Sequence, residues 1–286
     1  MPDILHLSDL HFGPHHLSGR AEGARRLAER LDPDLVVISG DLTRRAKRTQ
    51  YAEARAYLDG FGRPPIVTPG NHDVPLYRVW ERFFAPYRNY RDYISKHLDS
   101  VHRQPGLTVV CLNSTRRFTL TNGRIRAWQL EFAERAFADA GDGDLRVVVT
   151  HHHLAPPPDF EGGNVMPVAR RAIEAFTHMG VDITLAGHMH RAYIGDSLDL
   201  LPDDDREQGI VIVQCGTTSC SRGRGRERRR NSLNHIQTTP RELVVTHYLW
   251  KDADGEFRPH SQHRFGSQEH TWLDESPGPP DPGLDP

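Results

Sequence analysis

Short apolar runs recur through the first two thirds of the chain, each followed by a stretch with helical spacing. Residues 4–7 (ILHL), 34–39 (DLVVIS), 65–68 (PIVT), 107–113 (LTVVCLN), 145–150 (LRVVVT) and 182–186 (DITLA) have strand length and are mostly apolar, as strands covered on both faces must be. Between them, residues 19–31 place Ala24, Leu27, Ala28 and Leu31 at helical spacing, with Arg and Glu on the remaining positions. Stretches 49–58, 125–140 and 168–179 also read as helices. Repeated β-α-β requires a parallel sheet with helices on its faces, so the expected class is α/β. After residue 190 the pattern changes. Residues 192–200, 210–215, 232–238 and 242–250 read as strands with no helix between them, which implies an antiparallel second part of the sheet system. No internal repeat or Gly/Ser linker interrupts the chain, so one domain over residues 1–250 is expected, followed by a tail over 251–286. The last eleven residues hold five prolines and are expected to be disordered from Ser276.

The 286 residues are enough to bury a core without staples. Charged residues are 26% and hydrophobic residues 37%, a globular balance. The net charge of −2 advertises neither nucleic acid nor an acidic membrane as a partner. Three cysteines (Cys111, Cys215, Cys220), none in a CxxC pair, do not make a disulfide framework or a thiolate zinc site. The first residues lack a basic segment and an apolar run of membrane length, so a cytoplasmic protein is expected. Eighteen histidines are an unusual number for this length, and their positions carry the functional argument.

Five short motifs stand out, and four of them directly end an expected strand: Asp9-Leu10-His11, Gly40-Asp41, Gly70-Asn71-His72-Asp73, His151, and Gly187-His188-Met189-His190. Ligands of open α/β sheets bind beyond the carboxyl ends of the strands. Singly, each residue has an ordinary reading as a turn, a cap or a hydrogen-bonded surface group. Together, nine metal-competent side chains gather at one edge. Imidazole, carboxylate and amide donors without thiolate suit manganese, iron, zinc or cobalt, and they are too many for one tetrahedral ion. Asp41 is the natural carboxylate bridge between two ions. Such a pair clamps a phosphoryl group for in-line displacement.

In this order the motifs resemble those of the calcineurin-like metallophosphoesterases, from residue 9 to residue 190. The resemblance implies a four-layer α/β/β/α sandwich of two mixed sheets, the second supplied by the strands after residue 190. It also implies that Asp9, His11, Asp41 and His190 hold one metal, and that Asp41, Asn71, His151 and His188 hold the other. His151 is chosen over His152 and His153 by the same analogy. His72 would contact the substrate beside Asn71, stabilising the transition state or protonating the leaving oxygen, and Asp73 would orient His72. The cofactors implied are two divalent ions, manganese or iron first, zinc or cobalt next.

Gly40-Asp41-Leu42-Thr43 and Gly70-Asn71-His72-Asp73 look like the class III cyclic-nucleotide phosphodiesterases and glycerophosphodiesterases. Protein phosphatases carry Gly-Asp-x-x-Asp-Arg-Gly and Gly-Asn-His-Glu, where this chain has Thr43-Arg44-Arg45 and Asp73. The expected function is hydrolysis of a small phosphodiester, such as a cyclic nucleotide, by a metal-bound hydroxide. A phosphomonoesterase, a DNA exonuclease or a non-catalytic scaffold of the same superfamily are the alternatives. The expected partner is a small phosphodiester, not a membrane or a nucleic acid, with a homo-oligomer left open. Residues 74–98 read as two helices rich in aromatics, either ordinary core, a cap over the site or a contact between copies. The run Arg222–Arg230, six arginines in nine residues, reads first as a solvated loop and second as an anion clamp. His15-His16 read as exposed loop, Cys215 as a small buried residue, and Cys220 as a thiol without a partner base.

Overall fold

A computed structural model describes residues 1–118, 121–155, 166–200, 209–239, 241–268 and 271–274. The β-α-β reading of the first part holds. Strand β1 (Asp3–Leu7) leads to α1 (Ser18–Leu31), β2 (Leu35–Ile38), α2 (Arg48–Asp59) and β3 (Ile66–Val67), with β1–β2 and β2–β3 parallel. Two short helices follow, α3 (Val79–Phe84) and α4 (Arg88–Tyr93), separated at Pro86. Then come β4 (Ser100–Gln104), β5 (Leu107–Cys111), α5 (Ala127–Ala138), β6 (Leu145–Val149), α6 (Ala169–His178) and β7 (Ile183–Ala186). The remaining elements are β8 (Tyr193–Asp196), α7 (Ser197–Leu200), β9 (Val211–Gln214), β10 (Ser232–Thr238), β11 (Glu242–Lys251), β12 (Glu256–Gln268) and β13 (Thr271–Asp274).

These strands form two mixed sheets. One runs β13-β12-β11-β10-β1-β2-β3 and the other β4-β5-β6-β7-β9-β8. Their inner faces share one core, in which Ile4, Val37, Ile236 and Phe265 of the first sheet meet Val109, Val147, Leu185 and Val213 of the second. The outer face of the first sheet packs Leu5, Leu7 and Ile38 against Ala24 and Leu27 of α1 and Ala54 and Leu58 of α2. The outer face of the second packs Val110 and Val148 against Phe137 of α5 and Ile173 and Phe176 of α6. The layers are therefore α/β/β/α.

Two expectations about the second half are corrected. The strands after residue 190 do not make the second sheet. The β-α-β units over β5–β7 make it, and β8 and β9 extend it. Strands β10–β13 instead complete the first sheet, because β1 pairs on one side with β2 and would expose its other edge. β10 covers that edge antiparallel, with Leu5 opposite His235. Nor is the chain beyond residue 250 a tail. β12 pairs along β11, with Phe257 and Phe265 fully buried among exposed polar residues, and Pro259 sits at the irregularity opposite His247/Tyr248. The Pro-rich segment from Ser276 lies outside the described residues. The strand expected over 192–200 stops at Asp196, whose carboxylate accepts the Leu198 N–H and starts a helical turn.

No helix among the described residues is long and apolar enough to cross a membrane. All three cysteines are buried and free. Of the aromatics in 74–98, Tyr90 is core beside Tyr51, whereas Trp80 and Phe84 are 78% and 77% exposed.

Candidate metal centre

The five motifs follow the carboxyl ends of β1, β2, β3, β6 and β7. Three loops come from one sheet and two from the other, so they converge where the two sheets share an edge. The backbone there is strained. Asp9, His11, Asp41, His188 and His190 all have left-handed φ, between 49° and 71°. Non-glycine residues adopt this region at a cost of order 1–3 kcal/mol each, and it persists only where the surroundings impose it. The glycines beside them make the close approach feasible. Gly40 has φ 93°, and a Cβ there would lie 2.6 Å from the His151 ring; a Cβ on Gly70 would collide with the Asp41 carboxylate.

One donor set comprises Asp9, His11, Asp41 and His190, all buried, with ligand atoms within 4.8 Å of one another. Asp9 Oδ2 accepts from Ser8 Oγ (2.7 Å) and His188 N (3.0 Å), which leaves Oδ1 without a hydrogen bond. Asp9 Oδ1 lies 3.2 Å from His190 Nε2, and His11 Nε2 lies 3.5 Å from both Asp9 Oδ1 and Asp41 Oδ2. The second set is Asn71, His151, His188 and again Asp41. Asn71 Oδ1 lies 3.0 Å from both His151 Nε2 and His188 Nδ1, and Asp41 Oδ1 lies 3.4 Å from His151 Nε2. The two oxygens of Asp41 are thus divided between the sets.

This arrangement fits two cations. His151 Nδ1 donates to the Ser39 carbonyl and His190 Nδ1 to the Arg222 carbonyl. In a neutral ring that leaves Nε2 as a lone pair. Those lone pairs face the Asn71 and Asp9 oxygens at 3.0 and 3.2 Å, contacts that repel unless both atoms of each pair share one positive ion. The titration behaviour agrees. Burial, with the neighbouring charges of Asp9 and Asp73, pushes Asp41 well above the usual carboxylate range. Asp9 is also pushed up by burial, but the facing His190 and His11 rings outweigh this and hold it low. Burial lowers His11 to about 4 and holds His151 and His188 down, so these rings are neutral ligands at physiological pH.

His72 sits at the mouth, in a 3-10 turn over Asn71–Asp73, edge-on to His11 with ring centroids 4.9 Å apart. The expectation that Asp73 orients it is corrected. Consecutive residues of the turn project to different sides. Asp73 turns inward and accepts from the backbone N–H groups of Leu42, Thr43 and Gly70, so it staples the two loops together. Arg44 positions His72 instead. Its carbonyl accepts from Nδ1 (3.1 Å) and its guanidinium reaches Nε2 (3.0 Å). Reading the sequence missed Arg44; the signal was its place three residues after Asp41. His152 turns away to Ser114 Oγ (2.8 Å), behind His188.

The arginine run is more than a solvated loop. Arg222 fixes His190 through its carbonyl, and Glu227 is buried, accepting from Ser232 Oγ and Ala192 N. His16 is partly buried on Phe12 and donates to the Leu10 carbonyl, while His15 lies beside Arg222. Cys215 is fully buried. The Cys220 sulfur lies within 4.8 Å of the His11 and His190 ring nitrogens; burial pushes this thiol up to about 11.

The sequence profile of the calcineurin-like phosphoesterases matches residues 2–192. The chain belongs to that family. Within the matched residues, Asp9, His11, Asp41 and His190 form a cluster that could hold a metal. A probable cyclic nucleotide phosphodiesterase of Synechococcus sp. is 26% identical over 170 residues, 57% of this chain and 60% of that protein. The chain thus spans less than two thirds of that relative's length. A cAMP/cGMP dual specificity phosphodiesterase of Mycobacterium tuberculosis is 26% identical over 239 residues, 75% of this chain and 71% of that protein. Among solved structures, PhoD superposes with a TM-score of 0.69 at 12% identity, over 96% of this chain and 72% of that one. This last likeness speaks for the fold alone.

Proposed function

We propose that this chain is a dinuclear metal-dependent phosphodiesterase, with cyclic nucleotides and similar small diesters as its first candidate substrates, acting in the cytoplasm. The observation that carries the proposal is the division of Asp41 between two donor sets, each completed by imidazoles. Asp9, His11 and His190 would hold one ion and Asn71, His151 and His188 the other, manganese or iron by the nitrogen/oxygen donor set. When bound, such a pair neutralises phosphate oxygens and lowers the pKa of a water. The chain's own contribution lies at the mouth. Burial, with the neighbouring His11 and Arg44, lowers His72 to about 2, so its ring is neutral; the Arg44 guanidinium lies 2.8 Å from Nδ1 and 3.0 Å from Nε2, and the pair would stabilise the charge that develops on the leaving oxygen. The two curated relatives, both named as cyclic nucleotide phosphodiesterases, support the diester preference.

His72→Ala and Asp41→Ala test this division of roles. His72→Ala retains two metal equivalents and loses about 10²–10⁴ of turnover. Asp41→Ala loses metal and turnover together. Equal metal loss in both variants, measured by elemental analysis, contradicts the assignment.

A further inference from the structure

The net charge of −2 conceals a local concentration of arginine and exposed aromatic rings beside the metal centre. A cavity of about 520 Å³ is lined by Arg116, Arg117, Arg124 and Arg126 together with Tyr87 and Phe118. None of the four arginines forms an ion pair with a carboxylate among the described residues. Next to it stand flat apolar surfaces. Six of the eight large hydrophobic side chains exposed among the described residues belong to this one region: Tyr77, Val79, Trp80, Phe83, Phe84 and Phe118. Trp80 and Phe84 stack within 14° of parallel at 5.7 Å, and Phe83 packs on Phe118 at 5.7 Å. Guanidinium and ring alternate: Arg45 lies 4.4 Å over Tyr77 and Arg117 lies 4.6 Å over Phe118.

The surface is tied to the centre from two sides. Arg78 donates to the carbonyls of Arg45 and Ala46, on the loop that follows Asp41. Arg82 donates to the Arg116 and Arg117 carbonyls, and the same loop reaches Ser114, which bonds His152 behind His188. Aromatic rings and arginine are enriched at protein interfaces as well, but the core of such an interface is depleted of charge, whereas four guanidiniums without carboxylate partners among the described residues line this one cavity. Guanidinium groups interleaved with exposed ring faces instead match a chain that alternates phosphate and base.

We propose that the substrate of the phosphodiesterase site is a single-stranded oligonucleotide, whose bases stack on Trp80 and Phe84 while its flanking phosphates occupy the arginine cavity. This rests on the phosphodiester reading of the metal centre and names the substrate class for it. It departs from the expectation, drawn from net charge, that nucleic acid is not a partner.

Fluorescence anisotropy of fluorescein-labelled octathymidylate with the full-length, metal-free protein tests binding apart from catalysis. Octathymidylate binds at low salt. Trp80→Ala weakens binding about tenfold, and Trp80→Phe retains most of it. Arg116→Ala/Arg117→Ala weakens binding and flattens its logarithmic salt dependence by about 0.7 for each phosphate that is no longer neutralised. Absence of binding at low salt overturns the inference, as does binding indifferent to all three variants. A Trp80→Ala protein that changes from dimer to monomer in sedimentation with unchanged octathymidylate binding also overturns it, and assigns the aromatic face to a second copy of the chain. Hydrolysis of bis(p-nitrophenyl) phosphate by the metal-loaded enzyme is measured in parallel. Turnover without octathymidylate binding overturns the inference alone. Binding without any diester turnover overturns the phosphodiesterase reading and, with it, the claim that the strand is a substrate.

Discussion

Asp41 occupies a position that a folding polypeptide would avoid without a cation. Its backbone is left-handed at φ 53°, its side chain is buried, and the Asp9 and Asp73 carboxylates face it. Asn tolerates the same φ and keeps an oxygen for the His72 N–H, but carries no charge. Asp41→Asn should therefore stabilise the metal-free protein, by on the order of 1 kcal/mol, while weakening metal uptake and turnover. Thermal unfolding of both proteins in chelator checks this, and a lower midpoint for Asp41→Asn contradicts it. The same residue shows what the sequence could and could not reveal. Gly40-Asp41 at a strand end announced a ligand, because only a few residue types serve there. Nothing in one dimension showed that Asp73 would turn inward to backbone amides, or that Arg44, with no motif of its own, would hold His72.

At the scale of elements, strands covered on both faces were legible because their apolar runs have no other use. β2, β5, β6 and β7 fall within a residue or two of the expected ends. β4 and β12 were not legible. Each is flanked by polar positions, and the large buried side chains described in β12, Phe257 and Phe265, are eight residues apart and pack into different clusters, too sparse a signal to separate from a loop. Strand order was equally hidden, since apolar runs do not say which sheet a strand joins. Phe265 gives the element its test. It lies in the core between the sheets, so Phe265→Ala should cost about 3–5 kcal/mol. Urea unfolding reads the loss; an unchanged midpoint would mean that this stretch is a tail after all.

For the whole molecule, the density of buried imidazole sets its response to acid. Burial lowers His6 to about 3 and His11 and His153 to about 4, and it drives His152 down as well. The unfolded chain takes up protons on these rings below pH 6.5, the native protein only near the lowered values. Stability is therefore fully present above 6.5 and falls as pH drops toward 4, by up to about 1.4 kcal/mol per pH unit for each such ring. Melting of the metal-free protein between pH 7 and 5 should show a steep decline, and a flat profile contradicts it. The proposed activity itself depends on two ions at the shared edge of the sheets. The decisive experiment strips the protein with chelator, reloads it with manganese or iron, and counts bound metal while assaying bis(p-nitrophenyl) phosphate against p-nitrophenyl phosphate. A dinuclear phosphodiesterase shows no turnover when stripped, two ions per chain on reloading, and restored hydrolysis with the diester ahead of the monoester. Undiminished turnover in the stripped protein, or two bound ions with no hydrolysis of either ester, would contradict it.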